Sequence, residues 1–194
     1  MERKSIWVIL GLLAVVLIAV GVTFYIKNHD NPFIGSVIDP PTVASEIALT
    51  GPGGSTIRLS DFRGKLVLIF FGYTNCPDEC PAMLAILRQV RADLGADAAL
   101  IQVLLVTTDP LRDTPGKLAD YLSAFDPTFI GLTGSTSDLA AVYRDYGVTV
   151  LDNGETHSTR VYVVDQNGKL GLTLPAGLNP VEIEHDLRIV LGNT

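Results

Sequence analysis

Apolar residues fall along this chain in distinct rhythms, and each rhythm predicts a different element. The stretch Ile6 to Ile26 is unbroken and uncharged. An α-helix rises about 1.5 Å per residue, so about 20 such residues span the hydrocarbon core of a bilayer. Trp7 and Tyr25 stand near its two ends, where amphipathic rings favour the interface. Shorter continuous runs, Leu66 to Phe71 and Leu100 to Thr107, read as strands buried on both faces. Phe129 to Thr133 reads as a shorter strand. A helical rhythm follows the first of these strands: Met83, Leu84, Ile86, Leu87, Val90 and Leu94 recur on one face, and Gly95 supplies the stop.

Turn and cap residues place the rest. Glu46–Thr50 and Thr56–Leu59 flank Gly51-Pro52-Gly53-Gly54, a predicted hairpin. Thr114 as N-cap and Pro115 at the first helical position begin a helix to about Phe125. Ser137-Asp138 opens another through Tyr146, with Gly147 just past its end. Arg160–Val164 and Lys169–Leu174 surround Asp165-Gln166-Asn167-Gly168, and Asn-Gly between alternating strands is a strong hairpin signal. Asn179 and Pro180 start a last helix that ends before Gly192. Parallel βαβ units, then an antiparallel hairpin and a closing helix, predict an α/β chain with a thioredoxin-like fold. It carries an N-terminal hairpin and an insertion at about Thr108 to Thr133, and one transmembrane helix precedes it. The predicted organisation is a cytoplasmic end at 1–5, an anchor at 6–26, a stalk at 27–45 and the thioredoxin-like domain at 46–194. The stalk reading rests on Asn31-Pro32, Gly35 and Asp39-Pro40-Pro41 and on the absence of a sustained period.

The apolar run at the start exceeds the roughly 7–15 residues usual for a signal peptide's hydrophobic region. No clear A-x-A site precedes Lys27, and cutting at Ala19-Val20-Gly21 would leave apolar residues on the product. An uncleaved anchor is therefore favoured over a cleaved signal peptide, and either one exports the domain. Arg3, Lys4 and the amino terminus outweigh Glu2, which keeps the short leading end in the cytoplasm. The reading is a single-pass protein of the cytoplasmic membrane with its C-terminal domain outside. The net charge of the 194-residue chain is −7, and Arg3, Lys4 and Lys27 lie before the domain, so the domain is more acidic still. Phosphate backbones need Lys and Arg, which excludes a nucleic-acid partner.

Cys76 and Cys80 are the only cysteines, in the loop Gly72-Tyr73-Thr74-Asn75-Cys76-Pro77-Asp78-Glu79-Cys80-Pro81 between the first buried strand and its helix. A strand end opening into a helix N-terminus offers orphan N–H groups and the positive end of the helix dipole, both of which favour thiolates. Residues four apart on a helical turn share a face, so the sulfurs can close a disulfide or converge on a soft cation such as Cu(I) or zinc. Pro81 disfavours helical geometry at Cys80 and leaves a regular turn unassured. A single structural disulfide also fits an exported domain. Among the histidines, His29 lies in the stalk and His185 among polar positions of the last helix. His157 lies in the loop Asp152–Thr159 leading into the strand Arg160–Val164. In thioredoxin-like folds that loop approaches the cysteines and usually carries a cis-proline; here an imidazole stands in it and no proline does.

The segments Phe71–Met83, Val106–Pro115 and Phe125–Gly134, followed by His157-Ser158 before a strand, resemble the Sco/SenC family in order and spacing. The resemblance covers roughly Glu46 to Leu191. It implies a membrane-tethered domain that binds one copper, as Cu(I) or Cu(II), through Cys76, Cys80 and His157. It also implies that copper comes from a donor protein and serves maturation of the CuA centre on its cytochrome c oxidase subunit. The alternative is a thiol–disulfide oxidoreductase that reduces a partner's cysteines; it uses Cys76 and Cys80 but has no need of His157. The chain departs from the family pattern at Thr156, where an aspartate commonly precedes the histidine, and at Asn75. Asp109, Arg112 and Asp113 belong to the family's surface near copper, but they read more simply as charges fixing a loop beside the Thr114 cap. Met83 reads as core.

Overall fold

The computed structural model describes residues 12–22, 32–151, 156–157 and 159–192; of Thr156 and His157 it describes the backbone. The chain divides into two units, Met1–Pro32 and Phe33–Thr194. In the first, residues 12–22 are helical and all exposed. Among the described residues no helix is long and apolar enough to cross a membrane. The remainder of the stretch read as an anchor lies outside the described residues.

The second unit is built on a sheet of six strands, ordered β1-β10-β9-β4-β5-β6. These are β1 (Ser36–Val43), β4 (Leu66–Gly72), β5 (Ile101–Thr107), β6 (Ile130–Leu132), β9 (Arg160–Val164) and β10 (Lys169–Pro175). β4, β5 and β6 are parallel, whereas β9 runs antiparallel to β4 and continues the sheet through β10 to β1. Successive side chains of a strand point to opposite faces, and β4 shows the consequence. Leu66, Leu68 and Phe70 enter one core cluster, while Val67, Ile69 and Phe71 enter the other. Helices α1 (Glu79–Asp93), α2 (Pro115–Ser123) and α4 (Pro180–Leu191) contribute to the first cluster. Helix α3 (Thr136–Asp145) and the residues bounding the hairpin β2 (Ala48–Thr50)–β3 (Thr56–Arg58) contribute to the second. Phe71 anchors that second face, with Tyr143 and Tyr162 edge-on to it at 6.1 and 5.6 Å. A sheet covered on both faces, with a βαβ half followed by an antiparallel half, is the thioredoxin-like α/β arrangement that the order of elements predicts.

Caps behave as their residues dictate. Thr114 accepts from the Lys117 amide, and Asn179 forms a capping box with Glu182. Helix α3 begins at Thr136, one residue ahead of the reading, because Ser135 takes the cap. The stretch 108–133 read as an insertion supplies α2 and the edge strand β6.

The stalk requires correction. Of residues 27–45, Ser36–Val43 form β1, paired with β10 at the sheet edge, and the compact unit begins at Phe33 rather than Glu46. Pro40 and Pro41 made this stretch look like a loop, but an edge strand tolerates proline, and the register breaks between Val37 and Thr42. Burial of Asp186 holds the entry to this strand. Its carboxylate is inaccessible to solvent and accepts from the amides of Ile34 and Gly35 at 2.9 and 2.7 Å. Any side chain at position 35 would lie 2.8 Å from the Thr173 carbonyl oxygen. Sequence pattern gave no hint of this long-range tie.

Asp186→Ala leaves both amides unpaired in a buried setting. The expected loss is about 2–4 kcal/mol of unfolding free energy, read by chemical denaturation, with amide exchange accelerated at Ile34 and Gly35.

Candidate metal centre

β4 delivers the chain to the cysteine loop at Gly72, and the absence of a side chain there is what makes room for sulfur. A Cβ on Gly72 would sit 2.8 Å from Cys80 Sγ. The loop turns at Tyr73–Asn75 and enters α1 at Glu79, with Pro81 in the first helical turn, where its missing N–H costs nothing. The regular turn that Pro81 leaves unassured does not include both cysteines, although Cys80 itself is helical despite that proline. Cys80 is on the helix and Cys76 lies in the loop before it.

The sulfurs nevertheless converge. Both cysteines are free thiols, Cys80 fully buried and Cys76 partly so. The Cys80 amide donates to Cys76 Sγ at 3.4 Å. The Cys76 side chain beside it adds to the burial that holds the Cys80 thiol protonated. Burial pushes the Cys80 thiol far up, and the backbone bond from Tyr73 offsets only part of that shift. Position at a helix start alone does not decide the acidity of Cys80, because desolvation by burial is the largest influence on it. Met83 is buried in the core cluster beside Leu84 and Leu87, as its spacing predicts.

Asp113 fixes the loop from behind. It is fully buried, and its carboxylate accepts from the Thr74 amide at 3.0 Å, the Thr74 hydroxyl at 2.5 Å and the Thr107 hydroxyl at 2.7 Å. Lys117 Nζ lies 3.6 Å from it and also donates to Asn75 Oδ1 at 3.1 Å. Asp109 is buried and paired with Arg112, and its amide donates to the Thr107 hydroxyl. The loop-fixing reading of Asp109, Arg112 and Asp113 describes these contacts. Its target, the cysteine loop, was not visible in the sequence, since nothing in the spacing links Asp113 to Thr74.

Residue His157 lies on β8 (Thr156–His157), a short strand paired with β7 (Val150–Leu151) so that His157 faces Val150 in register. Its imidazole lies outside the described residues, as does His29. This small hairpin was read as plain loop, although Asp152-Asn153-Gly154 between Val150-Leu151 and Thr156 carries the turn signal that finds it. His185 is exposed on α4. Among the described residues no group of three His, Cys, Asp or Glu side chains is placed to hold a metal. Two converging soft sulfurs suit Cu(I) or zinc and need at least one further ligand.

Residues 36–192 match the SCO1/SenC family model. The chain is 42% identical over 121 residues to the mitochondrial SCO2 homolog of Bos taurus, a match that takes in 61% of this chain and 45% of that protein. The chain thus spans about half the length of the mammalian mitochondrial relatives it matches. It is 32% identical over 168 residues to the SCO2-like protein of Rickettsia felis, covering 79% of this chain and 82% of the other. Among solved structures, ScoI of Bradyrhizobium japonicum with copper bound aligns at a TM-score of 0.70 and 32% identity, over 77% of this chain and 99% of that one.

Asp113→Ala is expected to cost about 2–4 kcal/mol and to accelerate exchange of the Thr74 amide, because it strands buried donors on both sides of the carboxylate. In the reduced, metal-free protein an alkylating reagent is expected to modify Cys76 well before Cys80, as read by peptide mass spectrometry. Burial raises the folded-state pKa of Cys80 above its ordinary value of 9.0, so the folded form holds its proton longer than the unfolded chain. Stability of that form is therefore expected to be full below pH 9 and to fall as the pH climbs above it.

Proposed function

The chain belongs to the SCO1/SenC family, and we propose that it is a membrane-anchored copper-binding assembly factor that supports CuA-site maturation of cytochrome c oxidase. The observation that carries this reading is the pair of free thiols at the junction of β4 and α1, with the Cys80 amide donating to Cys76 Sγ. Two reduced sulfurs brought together by a loop that a buried carboxylate immobilises are a prepared site for a soft monovalent ion. Cys76 and Cys80 supply the sulfur ligands and His157 the imidazole that completes the set. Support for His157 is topological: its strand leads directly into β9, which neighbours β4 in the sheet.

Copper is cargo in this reading. It arrives from a donor protein and leaves by ligand exchange to the cysteines and histidines of the CuA-bearing subunit. Binding needs the dithiol, and a disulfide between Cys76 and Cys80 excludes it, so thiol redox state gates loading. Residues 6–26 act as a single-pass anchor that leaves the domain on the extracytoplasmic side. The exposed apolar side chains of Leu12, Leu13, Val15, Val16, Leu17 and Ile18 suit hydrocarbon rather than water.

The neighbouring thiols also favour a second reading, in which the protein reduces disulfides of a partner. His157 separates the two, since only copper binding needs an imidazole. X-ray absorption on the anaerobically reduced protein is expected to show one Cu(I) bound by two sulfurs and one imidazole nitrogen. His157→Ala is expected to weaken copper binding by more than the roughly 10–100-fold that loss of an outer partner costs. Unchanged affinity in that variant, or a sulfur-only coordination sphere, removes His157 from the site. Rapid disulfide exchange with negligible copper uptake selects the oxidoreductase.

A further inference from the structure

We propose that Lys117 is a positioning residue for Cys76: through Asn75 it fixes the turn that brings the Cys76 sulfur against Cys80, and so sets how fast the pair opens to release metal. The inference rests on the copper reading above and adds to it a residue outside the ligand set.

The backbone of the cysteine loop begins as a turn. The Cys76 amide donates to the Tyr73 carbonyl at 3.3 Å, which closes a four-residue turn with Thr74 and Asn75 at its centre. That turn sets the direction in which the chain reaches Cys76, whose sulfur ends 3.4 Å from the Cys80 amide nitrogen. Both central residues are pinned by their side chains. The Thr74 hydroxyl donates to Asp113 Oδ1 at 2.5 Å, and Asn75 Oδ1 accepts from Lys117 Nζ at 3.1 Å. The same ammonium lies 3.6 Å from Asp113 Oδ1. Thr74, Asp113, Lys117 and Asn75 therefore form a closed polar ring between the turn and the start of α2. Asn75 is a position at which the chain departs from the family pattern, so its contact with Lys117 is not one that the resemblance supplies.

Within this ring the ammonium matters locally. The Lys117 side chain is 40% exposed, and an ion pair so open to water contributes little to a fold. Asp113 does not depend on it, having the Thr74 amide and the hydroxyls of Thr74 and Thr107 as donors. Asn75 does. The Thr74 hydroxyl reaches its side-chain oxygen only at 3.5 Å, too far for a strong bond, which leaves Lys117 as the close donor. The lysine is itself placed by the helix start, where its amide donates to the Thr114 cap at 3.3 Å. Metal held between two sulfurs leaves only when one of them lets go. Cys80 is fully buried on α1, so the partly exposed Cys76 is the half that opens. A turn pinned at both central residues opens less often than one pinned at Thr74 alone. A pair of this exposure alters that opening by up to about fivefold.

The test compares Lys117→Met with the wild type as full chains in detergent micelles. In the reduced, metal-free variant, hydrogen exchange of the Cys76 amide is expected to quicken about fivefold, while the Thr74 amide and the melting temperature stay unchanged. Loaded with Cu(I) and mixed with excess chelator, the variant is expected to lose metal about fivefold faster. Asn75→Ala is expected to act in the same direction, and the double variant to go no further than either single one, because both remove one contact. Unchanged Cys76 exchange and metal release in Lys117→Met, beside a wild type that binds normally, overturn the role of Lys117 alone. Faster Thr74 exchange with a lower melting temperature also overturns it, since Lys117 then serves Asp113 and the fold. Additive effects in the double variant overturn the route through Asn75. A wild type that takes up no copper overturns the copper reading and the release role with it, whatever amide exchange shows.

Discussion

Asp113 is the constraint around which the functional end of the molecule is organised. Its buried carboxylate joins three pieces of chain that are remote in sequence: the cysteine loop through Thr74, the end of β5 through Thr107, and the start of α2 through Lys117. A lone buried carboxylate is costly, and only a full set of donors makes it tolerable. The cost works as a specification. If the loop shifts by an ångström, the carboxylate loses the bonds that offset its burial, so the loop's position is coupled to the stability of the fold. Gly72 sets the complementary limit, since the space a Cβ would take is occupied by the Cys80 sulfur.

Held in this way, Cys80 is a sulfur in a dry site. Burial disfavours its thiolate and is the largest influence on it. A catalytic nucleophile is ordinarily tuned in the other direction, toward an exposed, low-pKa thiolate. A metal ligand has no such need, because the cation that displaces the proton also supplies the compensating charge. The two sulfurs are therefore unequal: Cys76 is partly accessible, and Cys80 is fixed in the core.

Much of this was legible in the chain. Continuous apolar runs located β4 and β5, the Asn167-Gly168 turn located β9 and β10, and Pro at the first helical position located α2 and α4. Each signal is local, carried by side chains that decide their own backbone. What escaped was non-local. β1 was hidden because Pro40 and Pro41 are compatible with an edge strand but look like a linker, and only pairing with β10 reveals the difference. The roles of Asp113 and Asp186 depend on donors far away in sequence. The cysteine pair was plain from spacing and family resemblance, yet the burial that pushes the Cys80 thiol up was not. Dipole effects can be read from position, whereas desolvation requires the packed core.

That desolvation bears on why metal and disulfide should alternate at one pair of sulfurs. A thiolate at Cys80 without a cation is an uncompensated buried charge, which the site disfavours strongly. Three states avoid it: the dithiol, the disulfide and the metal dithiolate. Each leaves the position electrically tolerable. In the proposed copper-binding role, passage from dithiol to metal dithiolate therefore hinges on delivering the cation as the protons leave, a requirement that direct handover meets better than capture from solution. The partly exposed Cys76 is where such a handover can begin, with the ion meeting an accessible sulfur before the buried one closes on it.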